Sequence, residues 1–138
     1  MGLGIMVVTH GSAGIEMVKS AEMILGKQEN ISAISFQEGE SVDDLAQSIQ
    51  EGIKNFKDVD QILALVDFQG GSPFNVVMSM KDDFLHVICG INIPLLMELI
   101  QGQDNKDIED MIENAIQTGR DGILSLSSLE IKKEDEEF

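Results

Sequence analysis

A histidine and an aspartate, each closing an apolar run, are the residues of this chain best suited to chemistry. His10 stands in Met6-Val7-Val8-Thr9-His10-Gly11-Ser12, and a helical pattern begins just beyond it. An imidazole at the carboxyl end of a parallel strand, beside a helix amino terminus, can take up and release a phosphoryl group. Asp67 closes a second run and leads into Phe68-Gln69-Gly70-Gly71-Ser72-Pro73. Its carboxylate can accept a hydrogen bond from one ring nitrogen, which fixes the tautomer and stabilises positive charge developing on the ring. A phosphoryl group in flight needs donors around its three equatorial oxygens. The backbone amides of Gly11 and Ser12, and those of Gly70, Gly71 and Ser72, are candidates, helped by two helix dipoles. Glycines let the backbone come close, and the Ser72 hydroxyl can donate as well. Each feature alone has an ordinary reading: a histidine satisfying a carbonyl, an aspartate in a turn, a Gly-Gly-Ser-Pro tight turn before a helix. Their conjunction at equivalent strand ends favours the chemical one.

For these side chains to meet, the runs that carry them must be neighbours in one sheet. Leu3 to Val8 and Ile62 to Val66 are uniformly apolar, as strands buried on both faces are. Ile31 to Phe36 alternates and reads as a more peripheral strand; Phe84 to Cys89 is a fourth. Helical stripes lie between them. Ile15, Val18, Ala21, Ile24 and Leu25 run up to a stop at Gly26, and Leu45, Ile49, Ile53 and Phe56 follow a Ser41 cap. Ser72 followed by Pro73 predicts a helix start with proline in the first helical position. Pro94 opens a helix carrying Leu95, Leu96, Leu99 and Ile100, and Ile108, Met111, Ile112, Ala115 and Ile116 make the last one, ending near Gly119. Gly122 to Ser127 reads as a short fifth strand whose partner the pattern does not name. Strands alternating with helices imply an α/β fold: an open, mostly parallel central sheet with helices on both faces, in three layers. Ligands of such folds sit beyond the carboxyl ends of the strands, where strand order reverses. If the first and third apolar strands are neighbours across that reversal, His10 and Asp67 converge.

Composition narrows the function classes. The 138 residues suit one domain, and a net charge of −16 argues against nucleic acid and anionic membrane surfaces while suiting a basic protein partner. No apolar run approaches the roughly 20 residues of a bilayer span, so no membrane insertion is expected. The amino terminus lacks the basic region of a secretory signal, and one cysteine forms no internal disulfide; a cytoplasmic protein is expected. Cys89, within an apolar run, reads as a packed thiol. His86 reads as structural, with no carboxylate on its side of the strand. Met17, Met23, Met78, Met80 and Met111 fall on helix faces and read as core. Two histidines and one cysteine, widely separated, make no metal site, and no cofactor is expected. Gly2-Leu3-Gly4 precedes its strand and is no dinucleotide fingerprint, and no Gly-rich loop ends in Gly-Lys-Ser/Thr. Glu134-Asp135-Glu136-Glu137 reads as a solvated, disordered tail, which divides the chain into a domain over 1–128 and an acidic tail over 129–138.

An ordered set of motifs carries a resemblance. Thr9-His10-Gly11, Ala21-Glu22-Met23-Ile24-Leu25-Gly26, Leu65-Val66-Asp67 leading to Gly70-Gly71-Ser72-Pro73-Phe74-Asn75, Gly90-Ile91-Asn92-Ile93-Pro94 and Thr118-Gly119-Arg120-Asp121-Gly122 span most of the chain. Together they resemble the enzyme IIA domain of the mannose family of the phosphoenolpyruvate-dependent sugar phosphotransferase system. The resemblance implies a phosphotransferase with a phosphohistidine intermediate. His10 would take phosphate from the phosphocarrier protein HPr and pass it to a histidine of a IIB subunit, while IIC and IID membrane subunits import the sugar. Asp67 would be the orienting carboxylate and Ser72 a donor to the phosphate. The family also implies a homodimer that exchanges its last strand, antiparallel to the others, which would give Gly122 to Ser127 a place. Ser12, Phe68 and Gln69 depart from the family pattern on the rim of the pocket. No IIB unit follows, so a free-standing subunit is expected. Two other roles fit the same residues: the phosphoryl-transfer subunit of a dihydroxyacetone kinase, and a regulatory phospho-acceptor module.

Overall fold

The computed structural model describes residues 2–128; the acidic tail lies outside the described residues. Four strands alternate with five helices: β1 (Gly2–His10), α1 (Ala13–Leu25), β2 (Ile31–Phe36), α2 (Val42–Lys54), β3 (Val59–Val66), α3 (Gly71–Ser79), β4 (Leu85–Cys89), α4 (Ile93–Gln101) and α5 (Ile108–Asp121). The sheet has the order β2-β1-β3-β4, and every pairing is parallel. From β1 the chain winds to one edge through β2, then returns past β1 to β3 and winds the other way. Strand order therefore reverses between β1 and β3, the two strands that carry His10 and lead to Asp67.

The uniform apolarity of β1 and β3 follows from burial on both faces. Ile5, Val7, Leu63 and Leu65 face a layer made by Ala21 of α1, by Leu95, Leu96 and Leu99 of α4, and by Met111 and Ala115 of α5. The alternate residues Met6, Val8, Ala64 and Val66 face Leu45 and Ile49 of α2 and Val76 and Val77 of α3. A one-residue slip of β1 would turn every side chain to the opposite face and move His10 off its partner, so the pairing Val8↔Val66 is what fixes the site.

Helix ends are specified locally. Ser41 and Asp44 form a reciprocal capping box at α2. Asn92 caps α4 by accepting from the Leu95 amide at 3.0 Å, and its Nδ2 donates to the Gly119 carbonyl at 2.9 Å. One side chain thus joins two of the motifs that carry the family resemblance. Gly119 is required at that contact, because a Cβ there would lie 3.0 Å from the Leu95 Cβ.

Several expectations are corrected. Gly122 to Ser127 is not a strand: α5 ends at Asp121, no regular element covers 123–125, and Leu126–Ser128 is a 3-10 turn. A strand needs a place in a ladder, and among the described residues the sheet consists of β1 to β4 without this segment; its Ile123, Leu124 and Leu126 side chains are exposed. Helix α3 begins at Gly71 with Gly70 as its cap, so Ser72 lies inside the first turn and Pro73 is its third residue. Cys89 is exposed at the end of the short edge strand β4, although partial desolvation pushes its thiol pKa up. His86 has polar neighbours from two other elements: Nε2 lies 2.7 Å from Gln61 Oε1 and Nδ1 lies 3.9 Å from Glu109 Oε1. Alternation along β4 does not reveal a carboxylate that arrives from α5. Met23 and Met78 are exposed, whereas Met6 and Met111 are core. Among the described residues no helix is long and apolar enough to cross a membrane, and no group of three His, Cys, Asp or Glu side chains is placed to hold a metal ion.

Candidate active site

β1 ends at His10 because the chain must turn there into α1. Gly11 takes φ +58 at the turn, and its amide donates to the Phe36 carbonyl at 2.8 Å. The Ser12 side chain makes no capping bond at α1. Thr9 serves instead: its wholly buried hydroxyl accepts from the Gly14 amide at 2.9 Å. The first turn of α1 is thereby tied to the strand residue beside His10, and Gly14 permits the approach, since a Cβ would lie 2.9 Å from Val7 Cγ1.

Asp67 meets His10 across the strand reversal. One oxygen, Oδ2, accepts from the His10 backbone amide at 2.9 Å and lies 2.8 Å from the imidazole Nδ1. The other, Oδ1, accepts from the Phe68 amide at 3.1 Å. Partial burial by itself pushes the Asp67 carboxyl up, but the His10 amide, the imidazole and the Phe68 amide together outweigh it and hold the group below its ordinary value of 3.8. An ionised carboxylate only accepts hydrogen bonds, so Nδ1 is the protonated nitrogen and the ring lone pair lies on Nε2. The His10 side chain is 44% exposed and that of Asp67 23%, so the imidazole is reachable while its partner is more sheltered.

Nε2 faces the Gly70–Gly71 turn. A Cβ on Gly71 would stand 3.1 Å from Nε2 and 3.0 Å from Cε1, and the residue has φ +79. Glycine here satisfies both the left-handed backbone and the close approach to Nε2. Among the described residues the amides of Gly70, Gly71 and Ser72 have no acceptor within the protein, and Gly71 stands beside Nε2. Ser72 is half-buried in that turn. Two aromatic rings complete the surroundings. Phe68 stacks on the imidazole with centroids 5.4 Å apart at 27°, and Phe36 meets it edge-on at 6.2 Å and 71°. The pair sits between two open hollows: one of about 550 Å³ lined by His10, Gly11, Phe36, Gln37 and Glu38, and one of about 510 Å³ whose lining includes Asp67, Cys89, Asn92 and Arg120. A hollow of about 600 Å³ at the other end of the sheet, around Asp60, His86 and Lys106, has no comparable nucleophile oriented by a carboxylate beside free amides.

The structure therefore brings His10, Asp67, Gly70 and Gly71 together, with Ser72 adjoining. Gly11 is a correction: its amide is committed to Phe36 and does not point into a phosphate cradle. Ser12 lies at the exposed start of α1, and none of its atoms bonds to His10 or Asp67. The sequence pattern marks neither Phe36 nor Thr9 as a neighbour of His10, and it places Phe68 only on the rim of the pocket. Register pairs Phe36 with His10 across β1 and β2, a relation the sequence carries only once strand pairing is known. Phe74, which follows Pro73 in the motif, packs against the Val66 side of the core.

A family model described as PTS system fructose IIA component matches residues 4–116. The chain belongs to the mannose family of phosphotransferase-system IIA components. It is 35% identical over 136 residues to the PTS system mannose-specific EIIAB component of Escherichia coli (strain K12), covering 96% of this chain and 42% of that protein. The chain thus spans less than half the length of that relative. The PTS system fructose-specific EIIA component of Bacillus subtilis (strain 168) is 27% identical over 114 residues, 81% of this chain and 78% of its own. A crystal structure of phosphotransferase system component EIIA from Streptococcus agalactiae superposes with a TM-score of 0.83 at 30% identity, covering 92% of this IIA chain and 99% of that one.

Two consequences of this geometry are measurable. Gly71→Ala places a methyl against Nε2 and forces an L-residue to φ +79, a strain of roughly 1–2 kcal/mol. Phosphorylation of the variant by phosphoramidate should fall at least about tenfold while the His10–Asp67 contact persists; unimpaired labelling would show that Nε2 does not face this turn. Because the folded Asp67 pKa is lowered, its stabilising contribution is present above about pH 3.8 and is lost as pH falls through the lower folded value. The stability difference between native protein and Asp67→Asn, followed by denaturant titration, should shrink as pH falls below about 3.8. A difference that grows across that acid range would contradict the assignment.

Proposed function

We propose that this IIA component is a phosphoryl-relay subunit of sugar import, accepting phosphate from HPr on His10 and passing it to a histidine of a IIB subunit. The observation that carries the reading is the single carboxylate oxygen bonded to both the amide and Nδ1 of His10, which leaves Nε2 free against unpaired amides. In the forward step the Nε2 lone pair forms a bond to phosphorus as the donor's N–P bond breaks. The bonding pair leaves with the donor nitrogen, and the Nδ1 proton stays on His10. The ring becomes cationic, and Asp67 stabilises that charge at 2.8 Å. The Gly70, Gly71 and Ser72 amides and the Ser72 hydroxyl surround the equatorial oxygens. Transfer to the IIB histidine reverses these steps.

The relatives' names favour sugar uptake over the dihydroxyacetone kinase role, since they specify mannose and fructose systems. Donor, acceptor and the IIC and IID subunits are taken from the family, as is action in the cytoplasm. HPr would meet His10 from the exposed side of the ring, where Glu38 lines the neighbouring hollow and suits a basic donor surface. Dimerisation by exchange of the last segment fits the open edge of β4 and the exposed Ile123, Leu124 and Leu126. The domain runs over 1–128, with 129–138 as an appended tail.

Incubation with phosphoenolpyruvate, its kinase and HPr should place one acid-labile phosphate on the native chain and none on His10→Ala. A label of undiminished size on the variant would assign the acceptor elsewhere.

A further inference from the structure

Phe68 occupies a position that the relay as described does not use. It follows Asp67 in the loop before α3, is 53% exposed, and yet folds back onto the site. Its Cε2 lies 3.4 Å from where a Gly70 Cβ would stand and its Cζ 3.8 Å from that of Gly71. Its ring lies over the imidazole at a centroid distance of 5.4 Å and an interplanar angle of 27°. An apolar side chain this exposed has no core to fill, and its backbone amide is fixed by Asp67 Oδ1 at 3.1 Å. The loop therefore presents the phenyl face to His10 by way of the same carboxylate that holds Nδ1.

We propose that Phe68 is a ring-face partner of His10 that stabilises the cationic, phosphorylated imidazole and so lengthens the life of the phosphoryl group. The inference rests on the reading of His10 as phosphoryl acceptor. The tautomer with a proton on Nδ1 and a lone pair on Nε2 carries no charge; once Nε2 carries the phosphoryl group and Nδ1 keeps its proton, the ring is a cation. An aromatic face attracts a cation within about 6 Å of its centroid through the ring quadrupole. When the N–P bond breaks, the bonding pair returns to Nε2 and the phosphoryl group passes to the attacking oxygen or nitrogen. The ring is again neutral and the attraction is gone. Phe68 thus favours the phosphorylated state over the leaving one. Phe36 meets the ring through an edge contact at 71° and does not offer its face in the same way. At a partly exposed site the effect amounts to about a two- to fivefold change in rate.

The test uses the whole chain phosphorylated with phosphoramidate, which needs no protein donor, followed by the rate at which phosphate leaves His10 at neutral pH. Phe68→Leu keeps apolar bulk without a π face and should release phosphate about two- to fivefold faster. Phe68→Tyr and Phe68→Trp should hold it at least as long as the native protein. Equal lifetimes in native protein and Phe68→Leu overturn the proposal. If that variant slows only exchange with HPr, Phe68 is a docking residue, and the proposal likewise fails. Should HPr fail to phosphorylate the native chain while the lifetimes still differ, the relay reading falls and the role of Phe68 stands. Absence of any label on His10 from phosphoramidate and from HPr alike ends both.

Discussion

A carboxylate oxygen shared between a backbone amide and an imidazole sets the geometry of this protein's candidate site. Asp67 Oδ2 holds the His10 amide at 2.9 Å and Nδ1 at 2.8 Å, so strand end and side chain are fixed by one acceptor. Hydrogen bonds to an ionised group contribute about 1.5–3 kcal/mol each. Ordering one imidazole costs on the order of 1 kcal/mol in rotamer freedom. The balance favours a single orientation even though the ring is partly open to solvent. Every other feature of the site depends on that orientation. Nε2 meets the Gly70–Gly71 turn only because Nδ1 is held, and Phe68 covers the ring only because its own amide is bound to Oδ1 of the same residue.

The sheet exists, for this purpose, to bring residue 10 beside residue 67. Two strands buried on both faces supply a rigid floor, and the reversal of strand order opens a cleft between their carboxyl ends. Thr9 and Asn92 show how the layers are tied to that floor. Thr9 accepts from α1 directly beneath His10, and Asn92 binds the start of α4 to the end of α5 next to the cleft that Asp67 lines. The exposed rim is acidic where Glu38 approaches and apolar where Phe68 stands, so a partner must satisfy both.

Much of this was legible in the sequence, and the reasons are specific. Uniform apolarity marked β1 and β3 as central strands because residues buried on both faces leave no polar alternation, and that placed His10 and Asp67 at equivalent ends. The Ser41 cap acts within a few residues, so local sequence suffices for it. What escaped depends on distant pairing. The Gly11 amide is consumed by Phe36 on a neighbouring strand, and the rings of Phe36 and Phe68 reach His10 from separate loops and strands. The carboxylate near His86 arrives from α5. Gly122 to Ser127 has a strand's composition, but a strand is defined by its place in a ladder, and among the described residues the sheet is built from the other four runs. Cys89 looked buried because its run is apolar; its place at the tip of an edge strand exposes it.

The central claim is that Asp67 keeps the proton on Nδ1 and so makes Nε2 the atom that carries phosphate. Long-range nitrogen–proton correlation spectra of the phosphorylated protein, labelled at the histidine ring, report which nitrogen bears phosphorus and which bears the proton. The geometry predicts phosphorus on Nε2 of His10 with a protonated Nδ1. Phosphorus found on Nδ1 would contradict it, because that nitrogen would then have left Asp67.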